Sequence, residues 1–260
     1  MNKTETYPAL EIQSISLHLG WSSISVEVGQ VDGIQLLLSG DDDTVQGLHL
    51  THENNTLRLE LPIRERVPNL IGTQWMQTVL RLPASWRGAM DITTTHGNIS
   101  LQGVCGSDLH LESISGSLRL NCVEGIHVNL TTISGSLLLE NLHADSLRIH
   151  SISGMAHMTG LEIARIRLSM VSGGAECAFS KPFQQMSGNS VSASLRLIVP
   201  SQVLNAVLTS VSGRLLTDHI SIHESGPELR FTSVTGNLAI ECDSTSTTES
   251  ETIPITQIKE

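Results

Sequence analysis

The chain has 260 residues, with 15 Lys and Arg against 26 Asp and Glu, for a formal charge of −11. Only Lys3, Lys181 and Lys259 are lysines, which removes the broad cationic footprint that nucleic acid or an anionic lipid surface requires. Aromatic residues make up 3%, and Trp21, Trp75 and Trp86 all lie in the first third, so the remaining interior must be built in thin layers of Leu, Ile, Val, Ala and Met.

Residues 1–8 are polar and are expected to form a flexible N-terminus without the apolar core of a secretory signal. No later stretch approaches the ~20 apolar residues of a membrane span. The expectation is therefore no integral membrane segment and a cytoplasmic location, with envelope association through a partner. Residues 9–90 read as an N-terminal β section or cap. Ile15–Leu19, Ile24–Val28, Ile34–Leu38 and Leu57–Leu61 alternate apolar and polar, with Ser39–Asp43 and Asn54-Asn55 as turns between them.

From residue 91 a repeat takes over. Gly97, Gly116, Gly135, Gly154 and Gly173 recur every 19 residues. Two and four places after each glycine stand Ile99, Leu118, Leu137, Ala156, Ala175 and Leu101, Leu120, Leu139, Met158, Cys177. Further apolar columns are Leu109, Val128, Leu147, Ile166, then Leu111, Leu130, Ile149, Leu168, and Ile114, Ile133, Ile152, Val171 two places before the next glycine. Polar residues separate them, which is the period of strands rather than helices. Short strand pairs cannot bury an apolar face alone, so the repeats must stack at about one strand spacing (~4.8 Å). The fold class is all-β: a parallel β-helix or solenoid of ~19-residue coils. An odd coil length flips the inward phase once per turn, at the Ile-Ser-Gly corner, where glycine suits a tight bend that a Cβ would penalise.

Gly213 and Gly236 repeat the corner, but Gly173 and Gly213 are 40 residues apart and Gly213 and Gly236 are 23 apart, so an insertion is expected around 178–194 within repeats spanning 91–242. Leu195–Pro200 echoes Leu80–Pro83, and the second block reads as restarting the first. The Ser/Thr/Glu-rich 243–260 segment reads as a mostly disordered acidic tail.

The Ile-Ser-Gly-Ser-Leu corners at Ile114–Leu118 and Ile133–Leu137, the strand ending in proline at Val79–Pro83, and Asn54-Asn55-Thr56-Leu57 leading a strand give the chain a family resemblance. It resembles the bacterial putative-adhesin domains of unknown function, which fold as right-handed β-helices, over roughly residues 10–242. The resemblance implies an adhesive, surface or envelope role and brings no catalytic set.

Candidate chemistry lies on the outward columns. Glu124, His143 and Glu162 share one column and could meet a cation or exchange a proton, although a solvated turn is the simpler reading. Arg148, His150, Arg165 and Arg167 form a basic group on a second face that could grip a carboxylate, sulfate or phosphate. His219 and His223 lack a third ligand. Ser115, Ser134, Ser153 and Ser172 read as a hydrogen-bonding ladder rather than nucleophiles. Trp75 and Trp86 read as cap packing, and Cys105, Cys122, Cys177 and Cys242, without metal spacing, as reduced buried thiols. These readings give a non-catalytic scaffold without cofactor, presenting a rigid surface to a protein or glycan partner. The alternatives are a carbohydrate-binding or carbohydrate-active β-helix and a self-assembling solenoid.

Overall fold

The structure, a computed structural model, describes residues 1–61 and 76–243. It is an all-β ladder with one five-residue helix, α1 (Asp42–Gln46), and one 3-10 turn at Ala9–Glu11. The first strands are β1 (Asn2–Pro8), β2 (Ser14–Leu19), β3 (Ser22–Gly29), β4 (Gly33–Gly40), β5 (His49–Glu53), β6 (Thr56–Glu60) and β7 (Met76–Pro83). There follow β8 (Ala89–Thr94), β9 (Ile99–Gln102), β10 (Cys105–Ser113), β11 (Leu118–Thr132), β12 (Leu137–Ser151) and β13 (Met155–Met170). The last are β14 (Gly174–Phe179), β15 (Gln185–Ser190), β16 (Ser194–Val199), β17 (Val203–Ser210), β18 (Leu215–Asp218), β19 (Ser221–Ile222), β20 (Glu228–Ser233) and β21 (Leu238–Cys242).

β10 to β13 pair in parallel, Leu109 with Val128, Val128 with Leu147, and Leu147 with Ile166. Each step advances 19 residues, so equivalent side chains lie above one another. Two strand columns result. One inward row runs Leu57, Ile15, Met90, Leu109, Val128, Leu147, Ile166, Met186 and Leu229, all at most 4% exposed. The facing column contributes Ile24, Ile99, Leu118, Leu137, Ala156, Ala175, Leu195 and Leu238. Each large rung removed from water contributes about 1.5–3 kcal/mol, and the core is their repetition.

Several expectations need correction. Residues 2–8 are not a flexible lead: β1 pairs antiparallel with β4 from Asn2–Ser39 to Pro8–Gly33. The segment around 178–194 is not an insertion. β15 pairs with β13, Arg165 with Gln185, and β16 with β14, Gly174 with Ser194. Both offsets are 20, so this is an ordinary coil one residue longer, with Phe179 and Phe183 buried against each other at its Lys181-Pro182 bend. The irregular glycine spacing arises further on. β20 lies between β15 and β17, and β21 between β16 and β18. The chain thus lays down 203–222 outermost, then returns to fill the place beneath it. The N-terminal section mirrors this, with β2 between β6 and β8 and β3 between β7 and β9. It continues the same ladders, and antiparallel β5, β4 and β1 close that end. Asn54 and Asn55, both at positive φ, make the two-residue β5–β6 hairpin turn. The expected tail, 243–260, lies outside the described residues except for Asp243.

The corner glycines also have a different cause from the one expected. Gly154 and Gly173 do adopt positive φ. At Gly97, Gly116, Gly135, Gly213 and Gly236 the constraint is close approach: a Cβ would stand 1.8–2.1 Å from a backbone carbonyl oxygen of the neighbouring coil. The equivalent place in the 20-residue coil is held by Ala193, whose carbonyl faces Gly236. A second bend, six residues on, does use the left-handed region, at Gly103, Cys122, Asn141 and Gly160.

Candidate functional site

The alternation that sends Leu147, Ile149, Ile166 and Leu168 inward sends their neighbours out. On four successive coils the outward triplets read His127-Asn129-Thr131, Ser146-Arg148-His150, Arg165-Arg167-Ser169 and Gln185-Ser187-Asn189. Arg148 stands directly against Arg167, Ser146 against Arg165, and His150 against Ser169. The four residues expected to form a basic group are therefore brought together on two adjacent strands. Three ladder steps by four residues give a polar face of about 14 by 13 Å.

No position on this face is a carboxylate or an apolar side chain. Carboxylates appear beyond it, at Asp108 and Glu112 on one side, at Glu228 on the other, and at the exposed Asp145 just before Ser146. Glu228 is already engaged by Arg230 and by Gln185 Nε2, which donates at 3.0 Å. Among the described residues Arg148, Arg165 and Arg167, all exposed, make no ion pair or side-chain hydrogen bond. Stacked guanidinium groups one strand apart repel each other, and an anion would relieve that repulsion through forked N–H donors that suit carboxylate, sulfate or phosphate. The opposite column differs. There Arg196 donates to Glu241 Oε1 and Oε2 at 3.0 and 2.8 Å and to Glu176 Oε1 at 2.6 Å, while His157 lies 3.3 Å from Glu176. Arg196 is neutralised by the protein itself, while Arg119, exposed on the same column, stands alone rather than stacked on a second arginine.

Asn129 falls on this face by its place in the repeat, whereas Gln185, Ser187 and Asn189 were not among the sequence candidates. Gln185 to Asn189 escaped because their coil is one residue longer than the others and so reads as an insertion. Counting apolar residues back from Leu195 would have placed them.

The other candidates resolve as structure. Glu124, His143 and Glu162 do share a column, but His143 Nδ1 lies 3.1 Å and Lys181 Nζ 2.6 Å from Glu162 Oε2. Lys181, with help from His143, holds the Glu162 carboxyl below the usual carboxylate range. His219 lies 3.6 Å from Asp218, and His223 Nδ1 2.8 Å from Ser225 Oγ, so they face separate partners. Ser115, Ser134, Ser153 and Ser172 each donate to the carbonyl 20 residues back, Thr95, Ile114, Ile133 and Ile152, as a ladder should. A second hydroxyl column was missed although it is visible: Ser113, Thr132, Ser190, Ser210 and Ser233 stand three places before the corner and accept its backbone N–H. Trp86 is buried and donates to Ile12 O at 3.0 Å, as cap packing requires. Trp75 lies outside the described residues. Of the free thiols only Cys177 is buried, and burial pushes it far up. Cys105 and Cys242 are half-buried and Cys122 is exposed, against the expectation of four buried thiols.

Among the described residues no helix is long and apolar enough to cross a membrane. No curated protein matches the chain. Solved structures do. A "putative adhesin" from Bacteroides fragilis NCTC 9343 is similar at 15% identity and a TM-score of 0.58, over 94% of this chain and 97% of its own. A "putative adhesin" from Parabacteroides merdae ATCC 43184 is similar at 11% and 0.58, over 94% and 96%. A "putative lipid binding protein" from Parabacteroides distasonis ATCC 8503 is similar at 14% and 0.57, over 94% and 97%. At these identities the likeness is one of fold. The Toastrack DUF4097 family model matches residues 12–246, which include both strand columns from β2 to β21, and the chain belongs to that family.

Proposed function

We propose that the chain is a right-handed parallel β-solenoid of 19-residue coils that works without catalysis, as a rigid platform binding an anionic ligand and tethered to the cell envelope through a partner. One observation carries this reading: in a chain of charge −11, four adjacent coils present a carboxylate-free face holding Arg148, Arg165 and Arg167 without protein counter-charges. Around them Asn129, Gln185, Ser187 and Asn189 supply the neutral donors and acceptors that hydroxyl-rich ligands use. A glycan bearing carboxylate or sulfate groups matches both features. The fold is shared with proteins called adhesins, which agrees with a surface-binding role.

Calorimetric titration tests it with a polyuronate, a sulfated polysaccharide and a neutral glucan. The two anionic polymers should bind and the glucan should not. Arg148→Ala with Arg167→Ala should weaken binding at least about tenfold, since a charge-assisted fork contributes roughly 1.5–3 kcal/mol. Indifference to those substitutions would remove the site. Polysaccharide turnover abolished by Glu124→Gln or Glu162→Gln would overturn the non-catalytic reading.

A further inference from the structure

From Ile114 onward, the column two places before the corner is apolar in sequence yet does not join the core. Ile114, Ile133, Ile152, Val171, Val191 and Val234 are 38–50% exposed, and Val211 at the end is 84% exposed. They are consecutive. The carbonyls of Ile114, Ile133, Ile152, Val171, Val191 and Val234 accept the N–H of Ser134, Ser153, Ser172, Ser192, Thr235 and Ser212, each one coil further on. Six steps at strand spacing make a straight apolar ridge about 29 Å long. It stands at the place where an odd coil length throws one residue out of phase, but phase alone asks for an outward residue, not an apolar one. Outward positions elsewhere on these coils are mostly polar, and the exposed apolar residues there, such as Ile126, Met155 and Val207, do not line up into a row.

The geometry points to a seam between two copies of this chain, packed ridge to ridge about a two-fold axis across the stack. Three features select a second copy as the occupant. The teeth repeat at strand spacing, and an identical row turned by the two-fold meshes with them along its whole length, as an isologous contact requires. The row leaves roughly 500–600 Å² of apolar surface, at the upper limit for a monomer, and two such rows approach the ~1,200 Å² at which specific interfaces begin. The flanks also suit close approach between like-charged molecules. From Ile133 to Val191 the ridge is bordered by Thr131, His150, Ser169 and Asn189 on one side, with no carboxylate among them. On the other side run the corner serines, whose hydroxyls are already committed to the stack. The ridge adjoins the arginine face along Thr131, His150, Ser169 and Asn189 but shares none of its own residues with it, and this seam goes beyond the binding reading above.

Sedimentation equilibrium on the full chain tests it. The protein should reversibly dimerise, more tightly as salt rises, because the net charges repel and the seam is apolar. Ile152→Glu with Val171→Glu should raise the dissociation constant about a hundredfold or more, by burying charge against apolar teeth. Ile152→Thr with Val171→Thr keeps the β-branched shape, guards against misfolding, and should weaken the dimer by a smaller factor with circular dichroism unchanged. A chain that stays monomeric at millimolar concentration overturns the proposal. So does a dimer that ignores both double variants, and so does a monomer whose ridge instead binds neutral phosphatidylcholine vesicles. Loss of polyanion binding with the dimer intact would fall on the arginine face alone.

Discussion

Replacing Gly116 by alanine tests the stacking most directly. The added Cβ would sit 1.8 Å from Gly97 O and 2.4 Å from Gly97 C, both backbone atoms of the coil below. That is about 1.6 Å inside ordinary contact, and no side-chain rotation can relieve it. The two coils must part locally. The neighbouring Ser115 N to Thr95 O bond, 3.0 Å long, and the Ser113 Oγ to Gly97 O bond at 3.2 Å, both between the two coils, then lengthen beyond useful range. Two bonds at about 0.5–1.5 kcal/mol each, with overpacking at 1–3 kcal/mol, give a loss of about 3 kcal/mol. For a chain of this size the melting temperature should fall by roughly 6–12 °C. Gly20→Ala is the matched control, since a Cβ there meets nothing within 4 Å and its φ is unstrained. It should change stability by under about 1 kcal/mol, in the stabilising direction, by restricting the unfolded chain. Scanning calorimetry on both variants decides. If Gly116→Ala melts within a degree of Gly20→Ala, the coils are not in the contact described and the stacking argument fails.

Cys122 occupies a left-handed bend, φ 52°, that Asn141 fills one coil above. Cys122→Asn should raise the urea midpoint by the equivalent of about 0.5 kcal/mol and Cys122→Val should lower it by about 1–2 kcal/mol; the reverse order would refute the strain. The Glu162 carboxyl, held low mainly by Lys181, contributes stability that is present above the ordinary carboxylate pKa and lost as pH falls through the lowered value. In Lys181→Met its titration, followed by carboxyl NMR, should move up toward the ordinary range, and an unmoved midpoint would show that the ion pair does not form in solution.

The fold was legible in the sequence wherever the coil kept its length. Five glycines at one spacing fix the register of β9 to β14, and the paired rows Leu118, Leu137 and Ala156 fall where that register demands. Legibility failed at one added residue. With 20 residues between Gly173 and Ala193, both the spacing and the residue type of the marker change, and a continuous coil reads as an interruption. It failed again where chain order and stack order part company, because no local pattern says that Gly236 lies between Ala193 and Gly213. The candidate face suffered less. Arg148, His150, Arg165 and Arg167 lie in the regular coils, so their neighbours follow from arithmetic, while the absence of counter-charges depends on side chains of separate coils. Exposure of the Ile114 to Val171 column was concealed by chemistry, since β-branched apolar residues ordinarily announce a core.

The order of the coils has a mechanical consequence. In a stack whose coils follow the chain, the terminal coil holds on one side only and can fray from its end. Here the last parallel coil at either end is an internal segment of the chain, and at the N-terminal end it is covered in turn by antiparallel β5, β4 and β1, of which β1 alone is a terminal strand paired on one side. β2 and β3 at the start, and β20 and β21 at the finish, are each paired on both sides. Peeling the N-terminal coil requires β6 and β7 to lift first, and peeling the C-terminal coil requires β17 and β18 to lift first. Those outer strands are tied by covalent chain at both of their ends, so releasing them frees less chain entropy than releasing a terminus. The ladder is thus locked where a stack of repeats is weakest, and the regular steps between the locks, which carry the arginine face and most of the apolar ridge, are held in register from both directions.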